Sequence, residues 1–192
     1  VYAYEMSVRT SFLDADHGYV NGSSVFMYVD GKQNLPHQLK VIPFEGWKKV
    51  STSLPQSNDE GFSFIAKDYD QLIDCPLEIG NHEEFSFDAA GIKHRVAMYG
   101  EGNYDVERLK TDLTNIIEGL TKMFDENPND DYLFIVHNLE KGGGGLEHSN
   151  STTLQVNRWT YYPEGKYQSF LGLAAHEYFH LWVVKRLRPD AL

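Results

Sequence analysis

Short bursts of alternating apolar and polar positions fill the first hundred residues. Tyr4 to Phe12 places Met6, Val8 and Thr10 on one face, and Ser24 to Val29 is aromatic and β-branched up to the turn Asp30-Gly31. Gln38 to Ile42 alternates until Pro43 and Gly46 interrupt it. Phe62 to Ala66, Phe85 to Asp88 and Lys93 to Tyr99 repeat the pattern, the last two separated by an Ala-Ala-Gly of hairpin spacing. A period of two predicts strands, and strands this close together predict a sandwich-like β domain or a large curved sheet. Asp68 to Leu72 predicts one helical turn.

The period changes beyond Gly100. Val106, Leu109, Leu113, Ile116, Ile117, Leu120, Met123 and Phe124 recur at three and four residues. They predict an amphipathic helix that Asp105 caps and that ends before Pro128. Tyr132 to His137 is a short apolar run, expected to be a central strand. A glycine-rich turn follows, then a strand over Thr152 to Arg158. The last helix is expected to run from Ser169 as N-cap to Pro189 as stop, with Lys185, Arg186 and Arg188 near its negative end. The expected architecture is α+β: a β domain over 1–100 and a helix–strand–loop–strand–helix lobe over 101–192.

Composition narrows the classes. With 192 residues, 41% of them hydrophobic and 14% aromatic, the chain can bury a sizeable core. A net charge of −11 argues against nucleic acid as a partner, because phosphates call for a basic face. One cysteine, Cys75, allows no disulfide within the chain. No apolar run of membrane-spanning length occurs. The first residue is not Met and the last helix runs almost to Leu192, so the chain is expected to be a piece of a longer protein. Its compartment stays open, bacterial cytoplasm or periplasm.

The candidate chemistry lies in the final helix. His176-Glu177-Tyr178-Phe179-His180 reads H-E-x-x-H. Four residues make about one helical turn, so both imidazoles share a face and can meet one cation, with Glu177 beside them as a general base. At this composition the pattern arises by chance with a probability of roughly 0.02, so it carries weight on its own. The bland reading is a pair of hydrogen-bonded core histidines. A largely buried helix makes that costly, because unpaired buried polar groups cost several kcal/mol.

A second segment, Lys141 to Ser151, reads KGGGGLEHSNS. Four glycines alone describe a flexible loop. Glycines such as Gly144 and Gly145 also allow a substrate backbone to come close. Glu147 beside them can hold a positive group, which in an exopeptidase would be the free α-amine of a peptide.

GGLEHSNST followed by HEYFHLWVVKRLRP resembles the glycyl aminopeptidase family of gluzincin metallopeptidases. SVRTSFLDADHGYVNGSS, GWKKVST, AKDYDQLIDCPLEIG and the segment around His94 are similar to the same family's β domain, so the likeness covers nearly the whole chain. It implies a partial thermolysin-like catalytic lobe and one Zn²⁺. His176 and His180 would be ligands, Glu177 the base, and Glu147, with Gly144 and Gly145, would bind the substrate, Glu147 recognising its amino terminus. It also implies a peptide substrate with a free N-terminus, a third ligand Glu and an oxyanion stabiliser beyond Leu192, and often a PDZ domain. Asp190 is the sole carboxylate after His180 and is a poor substitute ligand. Val183 stands where the family pattern has an asparagine, and losses of such supporting groups weaken metal affinity or activity 10- to 100-fold. By itself the chain is expected to bind zinc weakly and to be inactive. Two alternatives are a thermolysin-type endopeptidase and a non-catalytic β module with a decayed protease lobe.

Overall fold

The computed structural model describes residues 3–58 and 60–187. Contacts divide the chain into two compact units, Val1–His82 and Glu83–Leu192.

In the first unit, strands β1 (Phe12–Leu13), β2 (His17–Val20), β4 (Lys49–Thr52) and β6 (Leu77–Gly80) form an antiparallel sheet in the order β1-β2-β6-β4. Strands β3 (His37–Val41) and β5 (Phe62–Ala66) make a separate antiparallel pair. Helix α1 (Tyr69–Ile73) starts where predicted, because the Asp68 carboxylate accepts from the Gln71 amide at 2.7 Å. Leu54, Phe64, Ala66, Leu72 and Cys75 form its core.

Two expected strands of this unit are absent. Over Tyr4 to Phe12 only Phe12 enters a sheet. Ser7 and Thr10 bond each other at 2.9 Å, the Ser7 hydroxyl accepts from the Arg9 amide at 3.2 Å, and Thr10 donates to the Glu5 carbonyl at 2.6 Å. Such local side-chain bonds occupy the polar groups a ladder would use. Ser24 to Val29 is not a strand either. Asn21 caps a 3-10 turn over Gly22–Ser24, and the Val25 and Phe26 amides both return to the Gly22 carbonyl.

In the second unit, β7 (Glu83–Ala89) and β8 (Ile92–Tyr99) form the predicted hairpin. Ala90 and Gly91 both have positive φ, 48° and 79°, as a two-residue turn of the primed type requires. Helix α2 (Val106–Phe124) crosses from β8 to β9 (Asp131–Leu139), which pairs parallel with β8. Strand β11 (Ser151–Asn157) pairs parallel with β9, and β10 (Gly144–Glu147) pairs antiparallel with β11 at the sheet edge. The order is β10-β11-β9-β8-β7. Because β8 pairs with β9, the hairpin belongs to this unit, and the division falls at His82/Glu83 although sequence character changes near residue 100.

Tyr132, Phe134 and Val136 of β9, with Val96, Met98, Leu154 and Val156 alongside, form the sheet face of the core. Leu109, Leu113 and Ile117 of α2 and Tyr167, Phe170, Ala174 and Tyr178 of α3 (Glu164–Phe179) cover it. Each fully buried side chain of this size contributes about 1.5–3 kcal/mol. Among the described residues no helix is long and apolar enough to cross a membrane. Mixed α+β architecture is therefore as the patterning implies.

Candidate metal centre

Helix α3 begins and ends earlier than its sequence suggested. Pro163 occupies the N-cap position and Glu164 is the first helical residue. Glu164 accepts from Arg108 at 2.6 Å and Gln168 at 2.8 Å, which fixes the first turn without a side-chain cap. Ser169 lies inside the helix and donates to the Gly165 carbonyl at 3.1 Å, so it is not the cap. The helix stops at Phe179, with His180 as C-cap, and does not continue toward Arg188. Arg188, Pro189 and Asp190 lie outside the described residues.

A tight turn explains the stop. The Leu187 amide returns to the Trp182 carbonyl at 2.7 Å, and the Val184 amide to the Leu187 carbonyl at 3.1 Å. Leu181 and Trp182 are buried, and Trp182 stacks on Phe124 with the ring planes 8° apart. Lys185 and Arg186 therefore sit in this turn rather than in a last helical turn.

His176 and His180 project from the same face. Their Nε2 atoms are 3.2 Å apart and their rings are perpendicular. Two Zn–N bonds of about 2.0–2.1 Å at the tetrahedral angle would place such nitrogens about 3.3 Å apart. The spacing fits a shared cation, and it fits one N–H···N bond when no cation is present. The His180 Nδ1 is 3.1 Å from the Val183 carbonyl, which can only accept. Nδ1 therefore carries the proton, and Nε2 keeps its lone pair free for a ligand bond. Position 183 thus supports His180 through its main chain, a contact that valine retains.

The other donors come from beside and across. Glu177 is 4% exposed, His176 is exposed, and His180 and Glu147 are half-buried. Glu147, Glu177 and His180 each offer a ligand atom, all within 4.8 Å of one another. Two carboxylates and an imidazole together are a donor set that suits a divalent cation. Gly145 explains how the strand comes so close. A Cβ there would overlap the Glu177 carboxylate, so glycine lets β10 lie against the helix at this point without displacing that side chain. Gly144 is exposed, with φ of 111°. The structure thus brings His176, Glu177, His180, Glu147 and Gly145 together.

Residues of a polar layer behind the helix carry no motif. The Tyr178 hydroxyl accepts from the Asn127 amide at 2.9 Å and lies 3.0 Å from the His94 Nε2. Burial pushes His94 down to about 4 against smaller upward pulls from the Ile92 carbonyl and Asp88, so His94 is neutral and accepts the tyrosine proton. Burial also pushes the Tyr178 phenol up. Asn127 and Asn129 belong to an Asn-Pro-Asn that reads as a helix stop and nothing more.

A model of the peptidase M61 N-terminal domain matches residues 1–81, and a model of M61 glycyl aminopeptidase matches residues 169–192. Among solved structures the chain is similar to an aminopeptidase N family protein from Idiomarina loihiensis. Identity is 37% and the TM-score 0.92, over 100% of this chain and 34% of that one. It shares a fold with aminopeptidase A of Legionella pneumophila at 14% identity and a TM-score of 0.64, over 92% of this chain and 23% of that one. The chain therefore spans about a third and about a quarter of these relatives. No curated protein matches it.

Proposed function

We propose that this chain belongs to the M61 glycyl aminopeptidases and contributes the amine-recognition strand, the general base and two metal ligands of a zinc aminopeptidase. The observation that carries the reading is the convergence of the two Nε2 atoms at 3.2 Å on a face that Glu147 reaches from β10. The two family models and the 37% identical relative support it.

His176 and His180 would hold Zn²⁺, with a third ligand from a longer protein that contains this chain. Zinc in such a site supplies a Lewis acid that acidifies water and polarises a carbonyl. Glu177, nearly removed from solvent under Gly145, takes a proton from the attacking water and returns it to the leaving amine. Glu147 holds the substrate's α-ammonium, which limits how many residues fit before the scissile bond. The chain by itself, with two imidazoles, binds zinc weakly and does not turn over peptides.

Two substitutions in the longer protein test this. Glu177→Gln should keep zinc and lower turnover about 10²- to 10⁴-fold; turnover near wild type removes Glu177 from the base role. Glu147→Ala should raise KM for free-amine peptides and leave N-blocked peptides unaffected. An equal effect on both would point to an endopeptidase and remove the anchor.

A further inference from the structure

We infer that Asn127 and Asn129, in the loop between α2 and β9, act together as a clamp that fixes the distance between the Glu147 strand and the histidine helix. The inference rests on the proposed function for its consequence, and on hydrogen bonds alone for its existence. Asn127 donates to the Tyr178 hydroxyl, midway between His176 and His180. Asn129 donates through Nδ2 to the Ser149 carbonyl at 3.0 Å, two residues beyond Glu147. The Asn129 amide in turn donates to the Asn127 Oδ1 at 3.2 Å, so the two grips are parts of one turn. The Asn129 Oδ1 accepts from Arg186 Nη2 at 2.9 Å, and Arg186 Nη1 donates to the Leu181 carbonyl at 2.7 Å.

Three segments are thereby held from one loop: the helix that carries both imidazoles, the turn that closes behind His180, and the hairpin that carries Glu147. Side-chain amides suit this task because each offers two donors and one acceptor without a net charge. Gly145 sets how near β10 lies to the helix, and Asn129 holds Ser149, two residues past the end of that strand. The carboxylate of Glu147, between them, has its reach fixed at both sides. A shift of about 1 Å in such a group can cost about 10²-fold in a reaction that depends on placement.

Asn129→Asp separates the two functions of the residue. It keeps an acceptor for Arg186 and loses the donor to Ser149. Hydrogen exchange on the 192-residue chain should show residues 144–149 exchanging about tenfold faster, with 181–187 and α2 at wild-type protection. Asn129→Ala should release 181–187 as well. Wild-type exchange at 144–149 in Asn129→Asp would overturn the clamp, and so would a uniform rise that includes α2.

In the longer peptidase, Asn129→Asp should raise KM for free-amine peptides about tenfold at unchanged kcat, and have no further effect once Glu147 is Gln. Additive effects of the two substitutions would overturn the positioning role. A longer protein that cleaves no peptide at all would count against the proposed function, and the exchange result would then decide the clamp by itself.

Discussion

Among the described residues, histidine meets glutamate in both units, with opposite outcomes. In the first unit, the His17 Nδ1 lies 2.7 Å from the Glu78 Oε1, on adjacent strands β2 and β6. The side chains are 1% and 0% exposed, so no ligand reaches them. Ser51 and His82 form a second sealed pair at 2.6 Å. In the second unit, His176, His180, Glu177 and Glu147 converge as well, but His176 is exposed and the cluster opens to solvent on that side. Residue type does not separate a structural pair from a binding centre. The separating feature is exposure: the His17–Glu78 pair is sealed, whereas the second cluster presents several lone-pair atoms toward an open side.

The comparison breaks most visibly if one carboxylate is removed from each cluster. Glu78→Ala removes the buried carboxylate 2.7 Å from the His17 Nδ1, and loss of one partner of a buried hydrogen bond costs about 1–3 kcal/mol. Urea or guanidinium unfolding of the 192-residue chain should show that loss as a lower midpoint. Glu147→Ala removes a half-buried side chain of the open cluster, and the same measurement should show no loss of stability. A large loss at Glu147 would make the open cluster a structural one.

Helix α2 and the hairpin were legible because their signals are local, whereas the local cap and stop read for α3 misplaced both of its ends. The stripe in α2, the Asp105 cap (2.9 Å from the Arg108 amide) and the Ala-Gly turn each act within a few residues. H-E-x-x-H was legible for the same reason. Strand β10 was not, since Gly-Gly-Leu-Glu has no alternation and becomes a strand only by pairing with β11. Tyr4 to Phe12 misled because its Ser and Thr side chains bond locally and override the apolar spacing. The layer behind the helix was invisible for a third reason. Asn127 reaches Tyr178 across 51 positions and His94 reaches it across 84, and neither residue carries a motif.

His94 sharpens the contrast from the pH side. Its ordinary value is 6.5 and burial holds it at about 4 in the fold. Between those values the unfolded chain takes up a proton that the folded chain refuses, so stability falls as pH drops from about 6.5 to about 4. The span corresponds to about 3 kcal/mol, complete below the folded value and absent above the unfolded one. Protonation would also turn Nε2 into a donor facing the Tyr178 hydroxyl. Stability of His94→Gln should lose this part of the acid slope, and an identical slope in both proteins would refute the assignment.

The finest test lies at Gly145. Its φ is ordinary, so backbone strain does not enter, and the whole effect of a methyl group comes from its overlap with the Glu177 carboxylate. Glu177 can yield by turning its side chain, yet it is 4% exposed, so the surrounding atoms must move with it. Overpacking of this kind costs about 1–3 kcal/mol. Gly143 provides the control within the same segment, because a Cβ there meets nothing within 4 Å. Gly143→Ala should leave thermal stability within about 0.5 kcal/mol of wild type, as surface substitutions do. Gly145→Ala should lower it and displace the Glu177 carboxylate. Equal behaviour of the two alanines would mean that β10 does not rest on Glu177, and the close approach of strand to helix would lose its steric cause.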